Sequence, residues 1–116
     1  MKKMISLLVC ILLLTACGSG YKTIDSNVAM DLINNEAVVI DVRTIDEYND
    51  GHIEGSINIP VDNINNISYN KDTTIIVYCA TGIRSANAAQ ALIDLGYTNV
   101  YNLDGGLINW GFNLED

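Results

Sequence analysis

Between Thr74 and Leu95 the chain passes directly from one hydrophobic periodicity to another. Thr74-Ile75-Ile76-Val77-Tyr78 is an unbroken β-branched and aromatic run, short enough for a strand covered on both faces. Ser85-Ala86-Asn87-Ala88-Ala89-Gln90-Ala91-Leu92-Ile93-Asp94-Leu95 is alanine-rich with apolar residues at helical spacing, and Gly96 supplies a stop. A strand of that kind leading into a helix, with further strands and short helices alternating along the chain, points to an α/β domain. Its sheet should be parallel, five-stranded and covered by helices on both faces, with its working loop at the carboxyl ends of the strands. Between strand and helix lies Cys79-Ala80-Thr81-Gly82-Ile83-Arg84. The backbone N–H groups of such a loop, with the first turn of the helix, can converge on one point, and that cradle favours an anion.

A thiol held there is expected to be acidic, because the helix terminus and Arg84 both favour thiolate over thiol. Thiolate is the nucleophile. Four residues separate Cys79 from Arg84, whereas cysteine phosphatases with a related loop need five to wrap a tetrahedral phosphate. The shorter loop is better sized for one extra sulfur atom on the cysteine, which disfavours phosphatase or arsenate reductase action. Cys79 to Ser85 resembles the active-site loop of the rhodanese sulfurtransferases, usually Cys-Arg-x-Gly-x-Arg-Ser. Ala80 stands where that pattern has its first Arg, so one positive charge that a thiosulfate dianion would meet is missing.

A longer match surrounds the neighbouring strand. Asp41-Val42-Arg43, Glu47-Tyr48 and Gly51-His52-Ile53-Glu54-Gly55-Ser56-Ile57-Asn58-Ile59-Pro60 are similar to a second rhodanese signature. Leu103-Asp104-Gly105-Gly106 with Trp110 resembles a third, near the carboxyl terminus. The resemblance covers nearly all of residues 21–112. Around these motifs the pattern predicts an edge strand at Tyr21–Asp25 and a helix capped by Ser26 and running to Asn34. A buried strand at Ala37–Arg43, a helical turn at Ile45–Tyr48 and a short strand at Ile57–Ile59 follow. A turn at Asp62–Ile67 and a last strand at Thr98–Leu103 complete the reading. Asp41 and Arg43 are read as an ion pair tying the strand end to the next helix. His52, the single histidine, is read as structural and bonded to backbone rather than as a general base. Gly105 and Gly106 are read as permitting a close backbone approach to the loop, and Trp110 as core or lid packing.

The amino terminus has a different character. Lys2 and Lys3 precede an apolar run from Ile5 to Leu14, and Leu14-Thr15-Ala16-Cys17 ends it with small residues before a cysteine. The run is short of the roughly 20 residues that span a bilayer, and reads as a signal peptide. Its last four residues resemble the lipobox of bacterial lipoproteins, which implies cleavage before Cys17 and acyl chains, palmitate among them, on its sulfur. An ordinary signal peptide with a cysteine at its cleavage site is the alternative. The expected organisation is therefore a signal peptide at 1–16, a lipidated cysteine and tether at 17–20, and one domain at 21–116.

The full chain carries a net charge of −8; residues 1–16 hold two of its six basic residues and none of its fourteen acidic ones, which leaves −10 beyond them. That acidity argues against nucleic acid and against direct adhesion to anionic lipid. Cys10 falls in the expected leader and Cys17 under the lipid, so Cys79 is left as the one free thiol, and no internal disulfide forms. An unpaired cysteine in an exported protein calls for reactivity as its explanation. One histidine and one thiol among scattered carboxylates make no transition-metal site, and no cofactor is implied.

The resemblance implies sulfur transfer through a Cys79 persulfide, from a small anionic donor such as thiosulfate to a thiol or cyanide. The loop residues Ala80, Thr81, Gly82, Ile83, Arg84 and Ser85 would bind the substrate. The second reading is a membrane-tethered persulfide carrier, or a docking module for another envelope protein. In either case a monomer on the bacterial cell membrane is expected.

Overall fold

The computed structural model describes residues 20–116, so the expected leader and Cys17 lie outside the described residues. Five strands form a parallel sheet in the order β1-β6-β5-β2-β4. They are β1 (Lys22–Ile24), β2 (Val38–Asp41), β4 (Ile57–Asn58), β5 (Ile75–Tyr78) and β6 (Val100–Leu103). Helices α1 (Ser26–Asn34), α2 (Ile45–Asp50) and α3 (Ile83–Asp94), with 3-10 turns at Val61–Asn66 and Gly106–Asn109, make the connections. The expected fold is present: one α/β domain, five parallel strands, helices on both faces. No helix among the described residues is long and apolar enough to cross a membrane.

The unbroken apolar run of β5 places this strand at the centre, where alternate side chains enter two separate cores. Ile75, Val77 and Cys79 point into a core shared with Ile40, Val42, Ile64, Ala88, Ala89, Leu92, Tyr97 and Val100, under α3 and the first 3-10 turn. Ile76 and Tyr78 point into the opposite core with Ala29, Val39, Ile53 and Leu103, under α1. Strand periodicity of two therefore sends Cys79 to the α3 face. The alanines of α3 bring its axis close to the sheet, and Ala88 and Ala89 are fully buried there.

Three expectations need correction. The cap of α1 is Asp25, whose carboxylate accepts from Val28 N–H at 2.9 Å, while Ser26 is already helical and donates to Asn109 O. Both residues are good caps by type, and the strand end decides which of them takes the non-helical conformation. Helix α3 starts at Ile83, two residues before Ser85, because Gly82 at φ +105° makes the turn that the helix follows. Finally, the strand expected at Thr98–Leu103 is present as β6 but is not the last. Leu114–Glu115 forms β7, antiparallel to β3 (His52–Ile53), in a separate two-stranded sheet. Two residues are too few to register as a strand pattern, and their partner lies about 60 positions away in the chain.

Candidate active site

Strand β5 ends at Tyr78, and Cys79 follows with only 1% of its surface exposed. Its Sγ receives Gly82 N–H at 3.1 Å and Ser85 N–H at 3.4 Å, and Ser85 Oγ stands 3.4 Å away. These groups exist at that point because the chain folds back over the sulfur between the strand and α3. The turn requires Gly82, whose positive φ is costly for any residue with a Cβ. It requires Gly106 from the far side as well. A Cβ on Gly106 would stand 2.5 Å from Cys79 O and 2.7 Å from the Ala80 carbonyl, so only glycine fits. That closeness allows Leu107 N–H to reach Cys79 O at 2.9 Å and Ile108 N–H to reach Ala80 O at 3.2 Å. Gly106 is thus a backbone clamp on the loop, as the sequence predicts, whereas a Cβ on Gly105 would meet the Asn109 side chain instead.

Burial pushes the Cys79 thiol up. The Ser85 hydroxyl and the N–H groups of Ser85, Thr81 and Gly82 outweigh it and hold the thiol below its ordinary 9.0. Arg84, expected beside the helix terminus to favour the thiolate, acts on it only through its charge, behind these hydrogen-bonding groups. Arg84 is engaged elsewhere: its guanidinium makes a two-pronged pair with Glu47 of α2, Nη1 to Oε1 at 2.8 Å and Nη2 to Oε2 at 3.0 Å. Glu47 also takes Thr44 N–H at 3.0 Å and the Thr44 hydroxyl at 3.1 Å. The Arg84 pair, then the Thr44 bonds, lower the Glu47 carboxyl to about 2 against the cost of desolvation.

Ser85 is buried and held in turn by Asn102 of β6, whose Oδ1 lies 2.5 Å from its hydroxyl and shares the single hydroxyl proton with the Cys79 sulfur. Asn102 Nδ2 donates to Gly82 O at 3.3 Å, which fixes the orientation of the amide. Asn102 reaches this spot because it is in phase with Val100, on the same face of the sheet as Cys79.

Of the remaining candidates, Ala80 is half-buried, and Thr81 and Ile83 are exposed at the mouth. Sequence reasoning missed Glu47 and Asn102. The Thr44-x-x-Glu47 spacing is a capping box, which both its bonds confirm. That local duty already accounts for a Glu there, so nothing in the sequence advertises its reach to Arg84.

The other motif residues are structural. Arg43 donates to Asp41 at 2.7 to 3.1 Å and to Gly51 O at 2.7 Å, with Asp41 fully buried. His52 Nδ1–H donates to Tyr48 O at 2.8 Å, and its ring stacks on Tyr48 with centroids 3.7 Å apart. Its Nε2 faces Glu115 at 3.4 Å, so neither ring nitrogen is turned to Cys79. Trp110 packs on the α1-side core and against Phe112.

Comparison with known proteins agrees with this geometry. Residues 26–112 match the family model described as "Rhodanese-like domain". A thiosulfate sulfurtransferase, GlpE of Shewanella oneidensis, is 34% identical over 79% of this chain and 94% of its own length. YibN of Escherichia coli K12 is 38% identical over 95% of this chain and 83% of its own. The crystal structure of a rhodanese-related protein from Thermoplasma volcanium superposes with a TM-score of 0.73 at 31% identity, covering 82% of this chain and 98% of the other. With the family model spanning four of the five sheet strands, the cysteine loop and the Gly-Gly turn, this chain belongs to the rhodanese-like domain family.

Proposed function

We propose that the domain is a sulfurtransferase that carries sulfur on Cys79. The observation that carries this reading is the thiol itself, buried at the carboxyl end of the central strand with main-chain N–H groups aimed at its sulfur and its ionisation made easier. The Cys79 thiolate attacks the outer sulfur of a sulfane donor. With thiosulfate, the S–S bond forms at Cys79, the donor's S–S bond breaks, and sulfite leaves with the electron pair. A persulfide then lies in the loop, its charge met by the amides between Ala80 and Ser85. A thiol or cyanide attacks the outer sulfur and restores the thiolate. His52 takes no part, since a thiolate already formed needs no base.

Mass spectrometry of the full chain after exposure to a sulfane donor should show one added sulfur atom, which thiols remove. Cys79→Ser should abolish the adduct. If Cys79 stays unmodified with every donor, the enzyme reading is lost.

A second reading, a carrier that passes its sulfur to a protein partner, is favoured by two large apolar side chains beside the mouth. Ile83 in the loop is 73% exposed, and Ile108, next to Ala80, is 77% exposed. A carrier would load once and unload poorly to small thiols, whereas an enzyme would turn over with them.

The finer organisation belongs to the same proposal: a signal peptide at 1–16, acyl chains on Cys17, and a short tether leading to a domain from residue 21, held as a monomer on the bacterial cell membrane. Two acyl chains would hold the protein there firmly, at about 0.8 kcal/mol per buried methylene. Palmitate labelling of the wild type that vanishes in Cys17→Ala, together with a shift from membrane to soluble fraction, is the expected result. Unchanged fractionation would refute the anchor.

A further inference from the structure

The charge around the loop bears on which donor loads it. Four cationic side chains occur among the described residues: Lys22, Arg43, Lys71 and Arg84. Arg43 is buried in its pair with Asp41. Lys71 lies over the Tyr97 ring, before the amino end of β5 and so at the opposite end of the sheet from Cys79. Lys22 is exposed on edge strand β1, two positions before that strand's end. Arg84, on the first turn of α3, is the cation at the mouth, and both prongs of its guanidinium face Glu47. Glu47 is itself pinned by two Thr44 donors, so swinging aside would cost it both and leave α2 only the Thr44 half of its capping box. Ala80 adds no charge. The loop therefore offers an incoming anion neutral amides and a guanidinium already compensated by Glu47, in a domain with ten more acidic than basic residues beyond residue 16.

A thiosulfate dianion brings two charges and a bulky sulfonate to a sulfur that is almost wholly buried. An alkyl persulfide brings a slender S–SH arm that reacts in its uncharged form. We infer that Glu47 is a specificity-determining residue that masks Arg84, and that the donor of this domain is a low-molecular-weight alkyl persulfide rather than thiosulfate. This inference rests on the sulfurtransferase reading. The step is Cys79–S⁻ + R–S–SH → Cys79–S–SH + R–S⁻: the outer sulfur is bonded to Cys79, the R–S bond to it breaks, and the electron pair leaves with the thiolate. No outside oxidant or reductant is required, and the net charge is conserved.

The test compares loading rates of Cys79 in the full chain from cysteine persulfide and from thiosulfate, read by mass spectrometry. Glu47→Gln preserves the cap, because Gln also serves at that position of a capping box. It leaves Arg84 with an uncompensated charge. The wild type should load faster from the persulfide, and Glu47→Gln should raise the thiosulfate-to-persulfide ratio about tenfold, an electrostatic gain that shrinks with added salt. The double variant Glu47→Gln with Arg84→Gln should bring the ratio back down. Equal loading of the wild type by both donors, or a ratio that Glu47→Gln does not move, overturns the inference while leaving sulfur transfer intact. Loading by neither donor overturns the sulfurtransferase reading instead.

Discussion

Strands β2 and β5 are adjacent, parallel and in register at Asp41 and Tyr78, yet their carboxyl ends finish in opposite ways. At the end of β2 a carboxylate and a guanidinium close on each other in the interior. Asp41 accepts from the Arg43 side chain and from its backbone N–H at 2.9 Å, and Asn58 Nδ2 seals the strand end by donating to the carbonyls of Asp41 and Arg43. Every polar group there has a partner within the fold. At the end of β5 the amides of Gly82 and Ser85 converge on a single sulfur, and a reactive atom is what they hold. A closed charge pair serves architecture; donors gathered on a nucleophile serve chemistry. The same sheet supplies both because its carboxyl edge is where strand polar groups must find partners outside the ladder.

The largest expected effect breaks the β2 end. Asp41→Ala leaves Arg43 buried without its carboxylate and should cost about 3–5 kcal/mol, as loss of one partner in a buried pair does. Urea denaturation measures it, and a loss below 1 kcal/mol would mean that the pair is not the closure it is taken to be. Sulfur loading by the fraction still folded should persist, which separates the two strand ends.

Gly106→Ala attacks the β5 end without touching the thiol. Its methyl must displace the Cys79 and Ala80 carbonyls, and overpacking of that kind costs about 1–3 kcal/mol. The loading rate of Cys79 should fall by more than the loss of stability explains, because the amides move with the loop. A rate equal to wild type would show that the clamp is irrelevant to the cradle.

Ser85→Ala is a gentler change, and its signature is in pH. The hydroxyl is among the groups that hold the Cys79 thiol down, so the midpoint for alkylation by iodoacetamide should move upward in the variant. A thiol depressed in the folded state contributes stability that is fully present above its unfolded value and is lost as pH falls through the lower folded value. Wild type should therefore gain stability over Cys79→Ser as pH rises toward 9.0, and Ser85→Ala should reduce that gain.

The smallest effect sharpens the contrast between the two arginine pairs. The Glu47 and Arg84 side chains are 35% and 39% exposed, so Glu47→Gln should cost no more than about 1 kcal/mol at neutral pH. The contribution of Glu47 is present above its ordinary 4.5 and is lost as pH falls from there toward about 2. The difference in stability between wild type and Glu47→Gln should close over that acid window. The two pairs have similar bond lengths, and burial alone makes one of them structural and the other adjustable.

Reading the chain alone recovered the α/β class, the central strand, the loop that carries the thiol and the requirement for glycine at 105 and 106. These are local matters: periodicity, turn chemistry and a nucleophile placed between a strand and a helix depend on residues a few positions apart. Even the ion pair of Asp41 with Arg43 spans only two positions. The rest depended on distance. Which of Asp25 and Ser26 caps α1, and the pairing of β3 with β7, are decided by how the strand ends and the carboxyl tail pack. The grip of Asn102 on Ser85 joins residues 17 apart, and the partnership of Glu47 with Arg84 joins residues 37 apart. What the amino acids settle unaided is that a thiol stands at the end of a buried strand, because neighbouring side chains impose it. How acidic that thiol is, and which charge meets an approaching donor, only the assembled sheet decides, since hydrogen bonds and charges act across space between parts of the chain that no local pattern links.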